Sequence, residues 1–299
     1  MERFYTIEGL TPENLASCAK PVRLAVIGNP IAHSKSPQMQ QAALDAAHID
    51  ASYIRIQCGL EEQDFDHLLA RLQRLGFIGV NITVPFKKKA FAAAAQADAL
   101  SKLCGASNTL LRQPDGWHAF NTDGPGFERA IRELTGGKSL SELRIVILGA
   151  CGGAGASLCC QCALSGCRDL TLVNRPRPEL EQTRVQLQPH CCGILRTAHF
   201  DSSELPDILA AADLIVNATS LGLHEGDPLP IPVEHLTPGQ YVYDIVPHDT
   251  ALRRAATARG CHAATGADML LWQGVYAFQH WFNTLPDVDA MRSALASTV

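Results

Sequence analysis

A chain of 299 residues, 46% hydrophobic and 18% charged, has material for one large or two medium cores, and two domains are the better expectation. A formal net charge of −5, with no long run of one sign, excludes on electrostatic grounds a nucleic-acid or anionic membrane partner, and no apolar run reaches bilayer length. What remains is a small-molecule partner in the cytoplasm, since no basic segment leads into an apolar stretch at the N-terminus. The eleven cysteines are odd in number and form no second CxxC pair, so free thiols and no metal are expected.

Strand-like apolar runs at 22–27, 53–57, 78–83, 145–148, 170–173, 214–217 and 241–246 alternate with helical stretches. This alternation is the mark of an α/β chain whose parallel sheets carry helices on both faces and bind ligands at the carboxyl ends of strands. The first run leads into Gly28-Asn-Pro-Ile-Ala-His-Ser-Lys-Ser-Pro37, where Ser36 is expected to cap a helix that starts at Pro37. Two hydroxyls, Ser34 and Ser36, then lie beside a helix N-terminus, a favourable place for a carboxylate. Capping alone accounts for Ser36 and leaves Ser34 unexplained.

The run at 78–83 leads into Asn81-Ile-Thr83-Val-Pro85-Phe-Lys87-Lys88-Lys89, with Pro85 expected in the first helical turn. A cation at a helix N-terminus is disfavoured by about 0.3–1 kcal/mol, so Lys87 is either part of a solvated patch or a working lysine. The patch is the ordinary reading for Lys88 and Lys89. Gly105-Ala-Ser-Asn108-Thr109 precedes a hairpin-like pair of strands, and Asn121-Thr-Asp123-Gly124 opens a connecting helix. Asp123 is there either a simple cap or, with Lys87, half of the proton-transfer machinery that hydride transfer requires.

A domain boundary is expected between 122 and 137, because a second βαβ unit begins near 143. Its first strand enters Gly149-Ala-Cys-Gly152-Gly153-Ala-Gly155 and then a helix, the order in which backbone N–H groups receive a pyrophosphate; close packing alone is the competing explanation. Cys159, Cys160, Cys162 and Cys167 fall in that helix as read from the sequence. The next strand ends at Asn174-Arg175, where an NAD-specific fold would place an acid, and an arginine suits a 2′-phosphate. A last helical pattern at 268–282 has no strand after it and is expected to return to the first domain.

Six segments resemble signatures of the shikimate dehydrogenase family, in order and at natural spacing: GNPIAHSKSP at 28–37, NITVPFK at 81–87, GASNT at 105–109, NTDG at 121–124, NATSLG at 217–222 and MLLWQG at 269–274. The resemblance implies an α/β fold with an N-terminal α/β substrate domain, a Rossmann-like NADP-binding domain and C-terminal helices returning to the first. The boundaries expected are an extension at 1–20, a substrate domain at 21–126 with 266–299, and a dinucleotide domain at 127–265. By the same likeness, Lys87 moves the proton and Asp123 orients the reacting oxygen. Ser34 and Ser36 hold the carboxylate, and Thr83, Asn108 and Gln273 line the ring together with Asp123. The cofactor falls to Gly149, Ala150, Gly152, Gly153, Ala154, Gly155, Asn174, Arg175, Arg177, Thr219 and Gly266.

The activity implied is reversible NADP-dependent reduction of 3-dehydroshikimate to shikimate, a step of aromatic amino acid biosynthesis towards chorismate, by a monomer or homodimer. Quinate oxidation with NAD is the nearest enzymatic alternative, and a non-catalytic binder of a metabolite or nucleotide is the alternative of another class. Three departures from the family pattern stand out. The glycine turn carries one extra residue, Cys151; Pro176, Arg177 and Pro178 follow Arg175 in place of a threonine and a later arginine; and Pro247 follows Val246 where the family has a tyrosine.

Overall fold

The computed structural model describes residues 4–297. The chain divides into two compact units, one running to Thr122 and resuming at Gln273, the other from Asp123 to Trp272. In the first unit it runs β1 (Phe4–Thr6), α1 (Pro12–Ala16), β2 (Val22–Gly28), α2 (Ser36–Ala46), β3 (Ser52–Gln57) and α3 (Asp64–Arg74). It continues through β4 (Gly79–Ile82), α4 (Lys87–Ala92), β5 (Gln96–Ala97), α5 (Ala99–Cys104), β6 (Thr109–Gln113) and β7 (Gly116–Phe120). These strands form one sheet in the order β1-β3-β2-β4-β6-β7-β5. Strands β1, β3, β2 and β4 are parallel, and β6 runs antiparallel to both β4 and β7.

Side chains alternate across each strand, so Ala25 and Ile27, Ile54 and Ile56, and Val80 and Ile82 share one buried core. Against them pack Phe65, Leu68, Leu69 and Leu72 of α3, whose spacing puts four apolar residues on one stripe of the helix. Asp64 and Asp66 in its first turn and Arg71 and Arg74 in its last complement the helix dipole. The residues between those of the core, among them Tyr53 and Arg55 on β3, point to the opposite face.

The second unit runs α6 (Asp123–Leu134), β8 (Arg144–Leu148), α7 (Gly153–Leu164), β9 (Asp169–Asn174), α8 (Pro178–Leu187) and β10 (Ile194–His199). It goes on through α9 (Leu205–Ala211), β11 (Leu214–Asn217), β12 (Tyr241–Asp244), α10 (Ala251–Ala258) and β13 (His262–Thr265). The sheet order is β10-β9-β8-β11-β12-β13 with every pairing parallel, which is the doubly wound dinucleotide-binding arrangement. Cys167 lies beyond α7, not in it as the sequence pattern had it. Gly166, at φ +73°, turns the chain out of the helix, and the Cys167 N–H closes on the Cys162 carbonyl at 2.9 Å.

Two helices complete the chain, α11 (Ala267–Phe282) and α12 (Val288–Ala296). From Gln273 onward the residues belong to the first unit. There the Trp281 indole N–H donates to the Leu110 carbonyl at 3.1 Å, the Gln40 amide donates to the Gly274 carbonyl at 2.9 Å, and α12 lies along α2.

Candidate active site

In the first unit, topology gathers the marked residues at one edge. Parallel β2 and β4 end at Gly28 and Ile82, while antiparallel β6 starts at Thr109 opposite Asn81, and β7 ends at Phe120 opposite Thr109. The segments carrying Ser34, Ser36, Thr83, Asn108 and Asn121 therefore all leave or enter the sheet at the carboxyl ends of β2 and β4, where open α/β sheets bind ligands. Asn29 ties the loops together: its N–H donates to the Val84 carbonyl at 3.1 Å and its side-chain amide to the Cys58 carbonyl at 2.8 Å. The Thr83 N–H bonds the Ile27 carbonyl at 2.8 Å.

The two serines exchange the roles expected of them. Ser36 is the first residue of α2 and Lys35 stands at the cap, while the Ser34 hydroxyl accepts the Ser36 N–H at 3.3 Å. Ser34 thus satisfies one of the helix's open N–H groups, which frees Ser36 from that duty. The buried Ser36 hydroxyl bonds the Tyr53 phenol.

Behind these residues runs a buried polar chain that the sequence does not announce. The Tyr53 hydroxyl donates to Asn81 Oδ1 at 2.8 Å, and the Asn81 amide donates to the Asn108 carbonyl at 3.3 Å and to Thr109 Oγ1 at 3.1 Å. Asn108 Oδ1 accepts the Thr122 N–H at 2.7 Å, and its Nδ2 reaches Gln273 Oε1 at 3.4 Å. Asn108 and Gln273, predicted as ring-lining residues, do come together. Burial holds the Tyr53 phenol well above its ordinary range, so it stays protonated and serves as a donor.

Lys87 opens α4, half-buried, and its carbonyl accepts the Ser107 N–H at 2.9 Å, fixing it to the Gly105–Thr109 segment. Pro85 lies two residues ahead of the helix in a cis peptide bond, not in its first turn. Lys89, partly exposed, donates from its ammonium to the Glu61 and Glu62 carbonyls at 3.3 and 2.9 Å. Asp123, buried, is the first residue of α6 and of the second unit, where the sequence allowed a cap before the helix.

In the second unit the glycine turn is tight. Gly149 and Ala150 both donate to the Val173 carbonyl, at 2.8 and 3.2 Å, and the Gly152 N–H closes on the Gly149 carbonyl at 3.0 Å. Gly149 holds φ +81° against the Ala218–Thr219 backbone, and a Cβ at Gly155 would run into the Gly149 carbonyl. Both positions need glycine. The backbone N–H groups of Cys151, Gly153, Ala154 and Gly155 have no acceptor among the described residues. Such a set at the start of α7 fits a pyrophosphate, and Cys151 contributes one of its N–H groups.

Asn174 ends β9 with its side-chain oxygen on the Arg175 N–H at 2.9 Å. Arg175 is exposed and has no ion pair among the described residues, whereas Arg177 pairs with Glu179 at 3.3 Å. Of the two arginines, Arg175 has its charge unpaired among the described residues. The Thr219 hydroxyl donates to Asn217 Oδ1 at 2.7 Å, and a Cβ at Gly266 would strike the Ile245 carbonyl, so both shape the loops at strand ends. The loop after β12 turns on Asp244, which accepts from the Asn217 amide at 3.0 Å, the Val246 N–H at 3.2 Å and the Thr250 hydroxyl at 2.7 Å. Burial raises its carboxyl pKa, against the pull of these bonds.

The model of the shikimate dehydrogenase substrate binding domain matches residues 26–110, and that of the shikimate 5′-dehydrogenase C-terminal domain matches 266–296. A shikimate dehydrogenase (NADP(+)) of Rubrobacter xylanophilus is 37% identical over 279 residues, covering 91% of this chain and 95% of that one. The chain belongs to the shikimate dehydrogenase family. Its fold is the family's. A shikimate 5-dehydrogenase from Thermus thermophilus, solved in complex with NADP(H) and shikimate, superposes with a TM-score of 0.81 at 31% identity, covering 93% of this chain and 100% of that one. A quinate dehydrogenase from Corynebacterium glutamicum in complex with NAD gives 0.83 at 29% identity, covering 92% and 99%.

Where the family pattern has a tyrosine after Val246, this member has an exposed Pro247, then His248, whose ring bonds the Gly222 carbonyl at 3.0 Å. Among the described residues no helix is long and apolar enough to cross a membrane.

Proposed function

We propose that this chain catalyses the reversible NADP-dependent reduction of 3-dehydroshikimate to shikimate. The observation that carries the reading is the gathering of Ser34, Ser36, Thr83 and Asn108 at one edge of the first sheet, with Lys87 opening the helix that leaves it. Ser34 and Ser36 take the carboxylate, and Thr83, Asn108 and Gln273 take the ring hydroxyls. In the oxidising direction Lys87 Nζ accepts the proton of the reacting hydroxyl, with Asp123 orienting that oxygen, while the carbon gives up a hydride. Hydride acceptance is the chemistry that bound NADP supplies. The glycine turn from Gly149 to Gly155 holds its pyrophosphate, Asn174 and Arg175 its adenosine phosphate, and Arg177, Thr219 and Gly266 the surrounding walls. The enzyme works on small molecules in the cytoplasm, as a monomer or homodimer, within aromatic amino acid biosynthesis.

Quinate oxidation with NAD is the second reading, favoured by the likeness to a quinate dehydrogenase and by Arg177 being engaged with Glu179. Both readings use Lys87. Replacing Lys87 by alanine is expected to lower kcat by about a hundredfold or more with a far smaller change in KM, and to leave NADPH binding, followed by fluorescence, intact. A Lys87→Ala enzyme keeping more than half of the wild-type kcat would overturn the assignment.

A further inference from the structure

Arg55 is the one basic side chain buried among the described residues, with 3% of its surface exposed. It lies on β3 two residues after Tyr53, on the face turned away from Ile54 and Ile56 of the core. Its guanidinium donates to the Ser34 carbonyl from Nε at 2.9 Å and from Nη2 at 2.5 Å, and Nη2 also reaches Gln38 Oε1 at 3.1 Å. A strand position facing a helix is ordinarily filled by an apolar residue, and burying a guanidinium is costly unless its donors and its charge are both used. The donors are used on the Ser34–Gln38 segment. The charge also reaches the Tyr53 phenol, the partner of the Ser36 hydroxyl.

We propose that Arg55 is a positioning residue for the acid end of the substrate: it clamps the Ser34–Ser36 turn through the Ser34 carbonyl and fixes a buried positive charge behind it. The proposal rests on the function proposed above, in which these serines receive a carboxylate. Because the Ser34 hydroxyl already accepts the Ser36 N–H, its own proton is left to donate outward. Neutral hydroxyl donors alone would take a carboxylate or its ester with little discrimination. A fixed guanidinium in a low-dielectric setting adds a preference for the anion without touching it.

The test compares shikimate with its uncharged methyl ester, titrated calorimetrically into protein carrying NADPH, a pairing that cannot turn over. In Arg55→Gln the dissociation constant of the acid is expected to rise about tenfold or more, while that of the ester moves less than about threefold. Equal weakening of both ligands would make Arg55 a structural prop only, and an unchanged acid affinity would remove it from the site; either overturns the proposal. Arg55→Lys keeps the charge and loses the fork, so it is expected to retain the acid-over-ester preference within about threefold even if the glutamine variant fails to fold. Loss of that preference in the lysine variant overturns the proposal too. Wild-type protein that binds neither ligand overturns the proposed function itself, and this inference with it, whereas failure of the Arg55 variants alone leaves that function standing.

Discussion

Under the proposed function, Arg175 is the residue assigned to the 2′-phosphate. It is exposed, follows Asn174 at the end of β9, and has no ion pair among the described residues, while Arg177 is engaged with Glu179. A guanidinium bonded to a 2′-phosphate contributes roughly 1.5–3 kcal/mol, less some screening at an exposed site. Arg175→Ala is expected to reduce the NADP-over-NAD ratio of kcat/KM by about tenfold or more. An unaltered ratio would remove Arg175 from the phosphate site. At this scale the sequence reveals residues whose context is a turn or a helix start, such as Ser34, Lys87 and Arg175. It does not reveal Tyr53 and Arg55, because a polar side chain inside an apolar run shows its partners only after folding. It also inverts the serines, since Ser36 precedes a proline and looks like a cap, and only the path of the loop brings the Ser34 hydroxyl to the Ser36 N–H.

Among the elements, the loop following β12 carries the most concentrated polar construction. Asp244 receives three donors there while fully buried. Asp244→Ala would orphan Asn217, Thr250 and the Val246 N–H, at a cost of about 2–4 kcal/mol. Urea unfolding checks this, and a loss below about 0.5 kcal/mol would mean that water replaces the carboxylate freely. The apolar run read at 241–246 stops at Asp244 because that side chain turns the chain. Buried parallel strands such as β2, β8 and β11 are legible as continuous apolar runs. Strands β1 and β5, of three and two residues, are too short to give a period. The edge strand β10 alternates with exposed polar residues, and β13 is built from His262, alanines and Thr265, so neither stands out from a loop.

For the whole molecule, the two-sheet plan follows from strand and helix alternation, and the doubly wound order of the second sheet from its glycine turn. The return of 273–297 to the first unit rests on contacts distant in sequence, such as that of Trp281 with Leu110, which local pattern does not encode. That return brings a pH-sensitive group with it. His280 stacks on Phe120 at 3.9 Å, and burial lowers its pKa below 6.5, with Asp98 opposing. The folded chain therefore binds fewer protons than the unfolded chain just below pH 6.5. The stability His280 gives is present above pH 6.5 and is lost as pH falls through its lower folded value. Melting temperature is expected to fall more steeply in wild type than in His280→Phe as pH is lowered from neutrality through this window, and equal slopes would contradict it.

The proposed activity is tested by kcat/KM for shikimate and for quinate, each with NADP and with NAD, followed as reduced nicotinamide absorbance. Shikimate with NADP is expected to exceed each of the other three pairs by about tenfold or more. Quinate with NAD as the preferred pair, or no turnover of either acid with either cofactor, would contradict it.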